Sequence, residues 1–338
     1  MKKNIYFLPL CRNYSDMLEF IVRPVQKDLK AFDRLYGKAL HTSVDDFRFM
    51  LDFVTGKNGK RIRPLVLILS AKMCGKITPE TLKYAVILEL LHTATLIHDD
   101  VVDNTHERRG QPSVMAQFDN RRAVLLGDYI LSQAIVQGVE TQNMRVLNIL
   151  AYLAQNLAEG ELMQLLTPSN IRIDEQRYFE VIRKKTAMLL ASCSEMGAIS
   201  AGADAEKTKM LRTVGNNFGL CFQLKDDVFD YFEQGELGKP TGNDIREGKI
   251  SLPLIYALRV APEEQSAQVM AILREQDFSS ENVTRLIDFA KEYRGIEYAY
   301  GKMQQIKSET LELLAQFPDS EAKTAMIQMI DYIIEREK

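Results

Sequence analysis

One segment limits the fold more than any other. From Pro79 to Asp103 the apolar residues Ala85, Val86, Leu88, Leu90, Leu91, Ala94, Ile97 and Val101 recur at helical spacing. Their wide apolar face predicts a long, mostly buried helix. Thr78, Pro79 and Glu80 supply its start, a hydroxyl cap followed by Pro at the first helical position. A second long helix is predicted after Asp204, through Met210, Leu211, Val214, Phe218, Phe222, Val228 and Phe229. Ser43 with Asp46 three residues on marks another start. Further helices are expected over roughly 15–39, 60–74, 119–139, 143–166, 175–201, 250–260, 281–316 and 319–336. No alternating strand or hairpin signal stands out. The loops are expected at 104–117, 167–173 and 233–249. Glycine and proline number only 18 and 10 among 338 residues, and no repeat or low-complexity linker divides the chain. The reading is a single all-α domain over residues 1–338.

Two clusters break the apolar pattern. Asp99-Asp100-Val101-Val102-Asp103 and Asp226-Asp227-Val228-Phe229-Asp230 share one spacing. On a helix the outer aspartates of each lie on one face, about 6 Å apart along the axis. Their repulsion is about 0.7 kcal/mol in water and several times that near a protein surface. Each cluster also closes a helix, where the macrodipole is negative and carboxylates are disfavoured. Two helices making the same unfavourable choice imply a missing cation. Carboxylate oxygens suit Mg²⁺, which binds through a few carboxylates together with substrate phosphates.

Basic groups accompany them. Lys60, Arg61 and Arg63 precede an apolar helix, Arg108 and Arg109 follow the first acid cluster, and Lys184, Lys185 and Thr186 lie on another helix. Lys239 and Lys249 flank a Gly-rich loop that holds Asp244. Guanidinium groups bind phosphate bidentately and Lys binds it as a point charge. These groups exceed what one phosphate needs. Two polyphosphate substrates fit better, one bound through metal and one by bare cations, with hydrocarbon tails facing the apolar helices between.

These residues resemble those of the trans-isoprenyl diphosphate synthases. Both aspartate-rich motifs, Gly59-Lys60-Arg61-Ile62-Arg63-Pro64, Arg108-Arg109-Gly110, Lys185-Thr186, the Phe222-Gln223 to Asp227 segment and the Gly238-Lys239-Pro240 to Asp244 loop occur in the family's order. Asn58 and Phe229 depart from its commoner residues. The resemblance implies an all-α bundle around a central cavity, a homodimer, and Mg²⁺-dependent head-to-tail condensation of isopentenyl diphosphate onto an allylic diphosphate. By position, Asp99, Asp100, Asp103, Asp226, Asp227, Asp230 and Asp244 would hold about three Mg²⁺ ions through carboxylate oxygens. Arg108, Lys185, Thr186, Gln223, Lys239 and Lys249 would serve the allylic diphosphate and the developing cation. Lys60, Arg63, His92 and Arg109 would bind isopentenyl diphosphate. No side chain is assigned as a general base, because the departing diphosphate takes the proton.

Ala94 and Thr95 sit about one turn before Asp99, where short-chain members of the family carry an aromatic. Small residues there leave space for a longer product, of about thirty to fifty carbons, of the kind that forms quinone side chains. Met144, Leu147 and Met163 are candidates for the tunnel floor. Cys11, Cys74, Cys193 and Cys221 are far apart, which suits reduced thiols in a cytoplasmic protein rather than a zinc or disulfide framework. The net charge of −3 gives no basic excess for nucleic acid, and no apolar run or basic amphipathic anchor marks a stable membrane attachment. The short apolar stretch Ile5 to Leu10 is broken by Pro9 and reads as a mature N-terminus rather than a signal peptide. A terpene cyclase would not need the second basic set. A His-Asp phosphohydrolase, suggested by His98-Asp99, would need more histidines than the four present. A catalytically silent partner subunit would lack aspartates from one motif.

Overall fold

The computed structural model describes residues 14–40, 42–56, 59–108, 110–166, 174–232 and 242–336. Cys11, His41, Asn58, Arg109, Lys239 and the expected loop 167–173 lie outside them, as does the N-terminal stretch. Helices α1 (Tyr14–Val22), α2 (Gln26–Ala39), α3 (Asp45–Thr55), α4 (Ile62–Cys74) and α5 (Pro79–Val102) lead into a two-stranded hairpin, β1 (Glu107–Arg108) with β2 (Gln111–Pro112). The short α6 (Val114–Gln117) precedes α7 (Asn120–Glu140), α8 (Met144–Leu166), α9 (Glu175–Ile182), α10 (Met188–Ser200) and α11 (Ala205–Phe229). Then come α12 (Asn243–Arg246), α13 (Leu252–Val260), α14 (Glu263–Glu275), α15 (Ser280–Glu292), α16 (Gly295–Ala315) and α17 (Glu321–Glu335). The protein is an all-α bundle.

Local chemistry explains the ends of the long helices. The Thr78 side chain accepts from the Thr81 amide while the Thr81 hydroxyl accepts from the Thr78 amide, a capping box with Pro79 at the first position. Asp204 caps α11 through the Lys207 amide, 2.8 Å away. In α11 the buried Leu211, Val214, Phe218, Cys221, Leu224 and Val228 form one stripe. The buried apolar residues run as one cluster from Ile21 to Ile334.

Several boundaries differ from the sequence reading. The helix expected over 15–39 is interrupted by a 3₁₀ turn at Arg23–Val25, where Pro24 lacks the amide donor a continuous helix would use. The helix expected over 281–316 is two. Arg294 adopts a left-handed conformation (φ 56°), and Gly295 lies so close to α13 that a Cβ there would stand 2.1 Å from the Pro253 carbonyl oxygen. Helix α14 was not expected, and the loop expected over 104–117 contains the hairpin and α6. Inside the expected helix 175–201, Arg183–Ala187 is wound as a π-helix. Such bulges concentrate at functional sites, and this one carries Lys185 and Thr186.

Candidate active site

Consecutive residues on a helix point about 100° apart, and this separates the members of each motif. On α5, His92, Leu96 and Asp100 form one stripe, and Thr95, Asp99 and Asp103 form the next. On α11, Gln223 and Asp227 share one face, while Phe222, Asp226 and Asp230 share another. Asp103, Gln223 and Asp227 line one cavity, and His92, Leu96, Asp100 and Phe222 line a second.

The first cavity, about 460 Å³, is lined by Asp103, Tyr178, Lys185, Thr186, Gln223, Asp227, Asp244 and Lys249, with Arg177, Asp174 and Glu247 at its wall. The second, about 660 Å³, is lined by Lys60, Arg61, Arg63, His92, Asp100, Arg108, Phe222, Tyr332 and Arg336, with Glu89 among them. Thr186 lines both. Basic side chains dominate the second cavity, whereas the first mixes carboxylates with cations.

Most expected residues thus fall into two groups, with differences in detail. Arg108 lines the second cavity with Lys60, Arg63 and His92, not the first with Lys185, Gln223 and Lys249. It grips Asp100 through Nε and Nη2, both 2.7 Å from Oδ1. His92 is buried, Arg63 half-buried, and Lys60 lies 5.8 Å from the centre of the Tyr332 ring. Arg61 is a strut: its guanidinium pairs with Asp33 at 3.2 Å and Glu89 at 3.1 Å and stacks on Tyr36. His98 turns to α7, with Nε2 3.3 Å from Asp128. Lys185 pairs with Glu161 at 2.7 Å, and Lys249 with Glu247 at 2.6 Å. Ala94 is wholly buried and Thr95 half-buried, its hydroxyl donating to the His92 carbonyl. Neither lines either cavity. Met144 is 67% exposed in the isolated chain, so it is not a buried tunnel floor. Met163 and Leu147 are partly buried.

The carboxylates are engaged unequally. Among the described residues, Asp99 and Asp103 make no side-chain hydrogen bond or ion pair. Burial, reinforced by the nearby Glu161 and Asp103 charges and opposed by Lys185 and Arg108, raises the Asp99 pKa to about 6. Asp226 accepts from Arg336 at 2.5 Å. Asp227 accepts from the Tyr178 hydroxyl on one oxygen and from Gln223 Nε2 at 2.8 Å on the other. Burial lifts Asp227 to about 7 even though both hydrogen bonds favour its charged form. Asp230 accepts from the Asn243 and Asp244 amides at 2.7 and 3.0 Å, closing α12 against the end of α11. Among the described residues no three His, Cys, Asp or Glu side chains converge into an ion-binding group. Mg²⁺ needs no such cage, because substrate phosphates and water complete its octahedron. The unpartnered Asp99, held above its ordinary pKa by burial and like charge, fits such an ion.

Two residues in these cavities were missed by sequence reasoning. Arg336 lies 110 positions beyond its partner Asp226 and is 7% exposed. It also donates to the Phe222 carbonyl at 3.0 Å and lies 3.9 Å from the Phe222 ring centre. Tyr178 reads in the sequence as one more aromatic on an amphipathic helix. Neither sits in a motif that would reveal it.

Residues 45–289 match the family model described as Polyprenyl synthetase. Octaprenyl diphosphate synthase of Haemophilus influenzae is 34% identical over 285 residues, covering 84% of this chain and 86% of the relative. A solved geranylgeranyl pyrophosphate synthase from Bacteroides thetaiotaomicron is 39% identical with a TM-score of 0.82, covering 95% of this chain and all of that one. A polyprenyl synthase from Caulobacter crescentus, solved with calcium and isoprenyl diphosphate, is 32% identical with a TM-score of 0.87, covering 95% and 98% of the two chains. The fold and the relatives are those of a prenyltransferase. The chain belongs to the polyprenyl synthetase family, the trans-isoprenyl diphosphate synthases, whose chemistry depends on Mg²⁺. No helix among the described residues is long and apolar enough to cross a membrane.

Proposed function

We propose that this prenyltransferase condenses isopentenyl diphosphate head-to-tail onto an allylic diphosphate to build an all-trans chain of about thirty to fifty carbons. The observation that carries the reading is the pair of cavities of unlike charge that share Thr186. The mixed cavity suits a diphosphate that arrives with metal. The basic cavity suits one held by bare cations.

Asp99 and Asp103 would hold Mg²⁺ on the α5 side, with Asp244 lining the same cavity as Asp103 and Asp226 completing the set as its family position implies, and about three ions would suffice for one diphosphate. Bound there, Mg²⁺ neutralises charge on the diphosphate and makes it a better leaving group. Lys185 and Lys249 add fixed positive charge where negative charge develops on the leaving group. Lys60, Arg63, His92 and Arg108 hold isopentenyl diphosphate, and Arg109 and Lys239 are assigned to the two diphosphates as their family positions imply. The allylic C–O bond breaks with its electron pair on the diphosphate. The double bond of isopentenyl diphosphate then attacks the allylic cation, forming the new C–C bond, and a proton leaves the adjacent carbon to the departed diphosphate. Apolar walls such as Leu96, Leu190 and Phe222 keep water from the cation.

The octaprenyl relative supports the long-chain reading, and the geranylgeranyl relative names the alternative. Thr95 lies on the Asp99 face of α5, so Thr95→Tyr should shorten the product to fifteen or twenty carbons. Ala94→Phe should act similarly but with a loss of stability, because the site is fully packed. Unchanged lengths in both variants would place the stop elsewhere. The proposal also includes one domain over the whole chain, a cytoplasmic location, quinone side chains as the destination of the product, and a homodimer. Exposed Leu125, Ile135 and Val139 on α7 and Tyr152, Leu162 and Leu166 on α8 support a covered face.

The deciding experiment incubates purified protein with farnesyl diphosphate, labelled isopentenyl diphosphate and Mg²⁺ and sizes the extracted prenyl alcohols. A long product that disappears with chelator supports the reading. A ceiling of twenty carbons overturns the length, and no incorporation with farnesyl, geranyl or dimethylallyl primers overturns the activity.

A further inference from the structure

We propose that Tyr178 and Asp227 are positioning residues whose task is to orient the Thr186 hydroxyl at the junction of the two cavities, and that Asp227 does not serve as a metal ligand. This rests on the prenyltransferase reading above.

The argument is one of hydrogen-bond direction. Tyr178 and Gln223 Nε2 occupy separate oxygens of Asp227. Gln223 presents its NH₂ to Asp227 and so turns its carbonyl away from it. That carbonyl oxygen lies 2.8 Å from Thr186 Oγ1. The Thr186 proton is therefore committed to Gln223, and the Thr186 lone pairs are left for the two cavities it lines. An oxygen held with its lone pairs outward at the meeting point of two diphosphate substrates is placed to stabilise positive charge as the allylic bond opens. Because it is oriented beforehand, it costs no reorganisation at that moment.

The backbone beneath supports the same geometry. Thr186 lies in the π-helical segment Arg183–Ala187, and Gly219 on α11 presses so closely that a Cβ there would stand 2.3 Å from the Ala187 Cα. With backbone and hydroxyl both held, the oxygen has one orientation. Asp226, which neighbours Asp227 on the helix, faces Arg336 instead. The two adjacent aspartates therefore have different tasks despite their identical chemistry.

The test compares wild type with Tyr178→Phe, Thr186→Val and the double variant, measuring single-turnover rates, KM for both diphosphates and the Mg²⁺ concentration at half-maximal rate. Tyr178→Phe should slow turnover about tenfold, the effect of losing one hydrogen bond to a charged group, with KM values and Mg²⁺ dependence unchanged within twofold. In the double variant, Tyr178→Phe should add less than twofold to the loss caused by Thr186→Val, because both act through one oxygen. Losses that multiply would overturn the proposal, as would a Tyr178→Phe enzyme with full rate. A raised Mg²⁺ requirement would instead make Asp227 a metal ligand. If Tyr178→Phe fails to fold, Asp227→Asn carries the test: a slower rate at unchanged Mg²⁺ dependence supports the relay, and a raised requirement overturns it. An inactive wild type would remove the prenyltransferase reading itself, a result distinct from all of these.

Discussion

The two aspartate clusters have the same residues at the same spacing, yet the fold treats them differently. On α5, Asp103 lines the mixed cavity, neither it nor Asp99 has a side-chain hydrogen bond or ion pair among the described residues, and Asp100 is taken by Arg108. On α11 every carboxylate already has a protein donor: Arg336 for Asp226, Tyr178 and Gln223 for Asp227, and the α12 amides for Asp230. One cluster is open to a cation. The other is partly wired into the scaffold, and it ties the end of α17, α9 and α12 to one helix end. Equal motifs need not be equal ligand sets, because neighbours decide which lone pairs remain available.

Removing Mg²⁺ with chelator, or replacing Asp103 by Asn, should produce the largest loss, on the order of a hundred- to a thousandfold in initial rate, the scale of removing charge stabilisation from a leaving group. Asp227→Asn should cost far less. Equal losses in the two variants would erase the contrast between the clusters. Next in size, Arg336→Ala should raise KM for isopentenyl diphosphate about tenfold, as expected when a charged contact is lost, while the KM for the allylic substrate moves little. An effect confined to the allylic substrate would assign Arg336 to the other cavity.

A smaller effect concerns pH. Asp99 must be ionised to hold Mg²⁺, and burial sets its pKa to about 6. The Mg²⁺ concentration for half-maximal rate should therefore rise up to about tenfold per unit as pH falls below 6. Above 7 it should be flat, and Asp99→Glu should shift the profile without removing it. The smallest effect is on the stability of the metal-free protein. A carboxyl whose folded pKa is raised binds more protons folded than unfolded, so it favours the folded state at low pH. That advantage declines as pH rises from about 4, the unfolded value, through the folded one. The Tm of metal-free wild type should thus fall between pH 4 and pH 7 more than that of Asp99→Asn. Parallel curves would mean that Asp99 is not held above its ordinary pKa.

Much of the fold was legible in the chain. Thr78-Pro79 and Asp204 opened helices where their capping chemistry required, and the apolar stripes of α5 and α11 identified the buried faces. The breaks were less visible. Arg294-Gly295 separates two helices because the Pro253 carbonyl must approach α16 closely, a demand that no local pattern records. The hairpin of Glu107–Arg108 and Gln111–Pro112 is too short to show alternation. In the site, Asp99, Asp103, Lys60 and Arg63 stood out because acid or base at a helix end is locally unfavourable or locally useful. Arg108 stood out as a basic group, but its grip on Asp100 did not, since that depends on the way the hairpin turns back onto α5.

The sequence by itself determined the helices and the chemistry available to them, because capping, periodicity and charge act over a few residues along one chain. It also determined that two carboxylate clusters and two basic sets lack partners among their immediate neighbours in the chain. Only the tertiary structure decided which carboxylates stay open, that Arg336 reaches Asp226 and Tyr178 reaches Asp227, and that Thr186 stands between two cavities. Those contacts join residues tens to more than a hundred positions apart, and their geometry follows from helix packing, which no window of sequence contains.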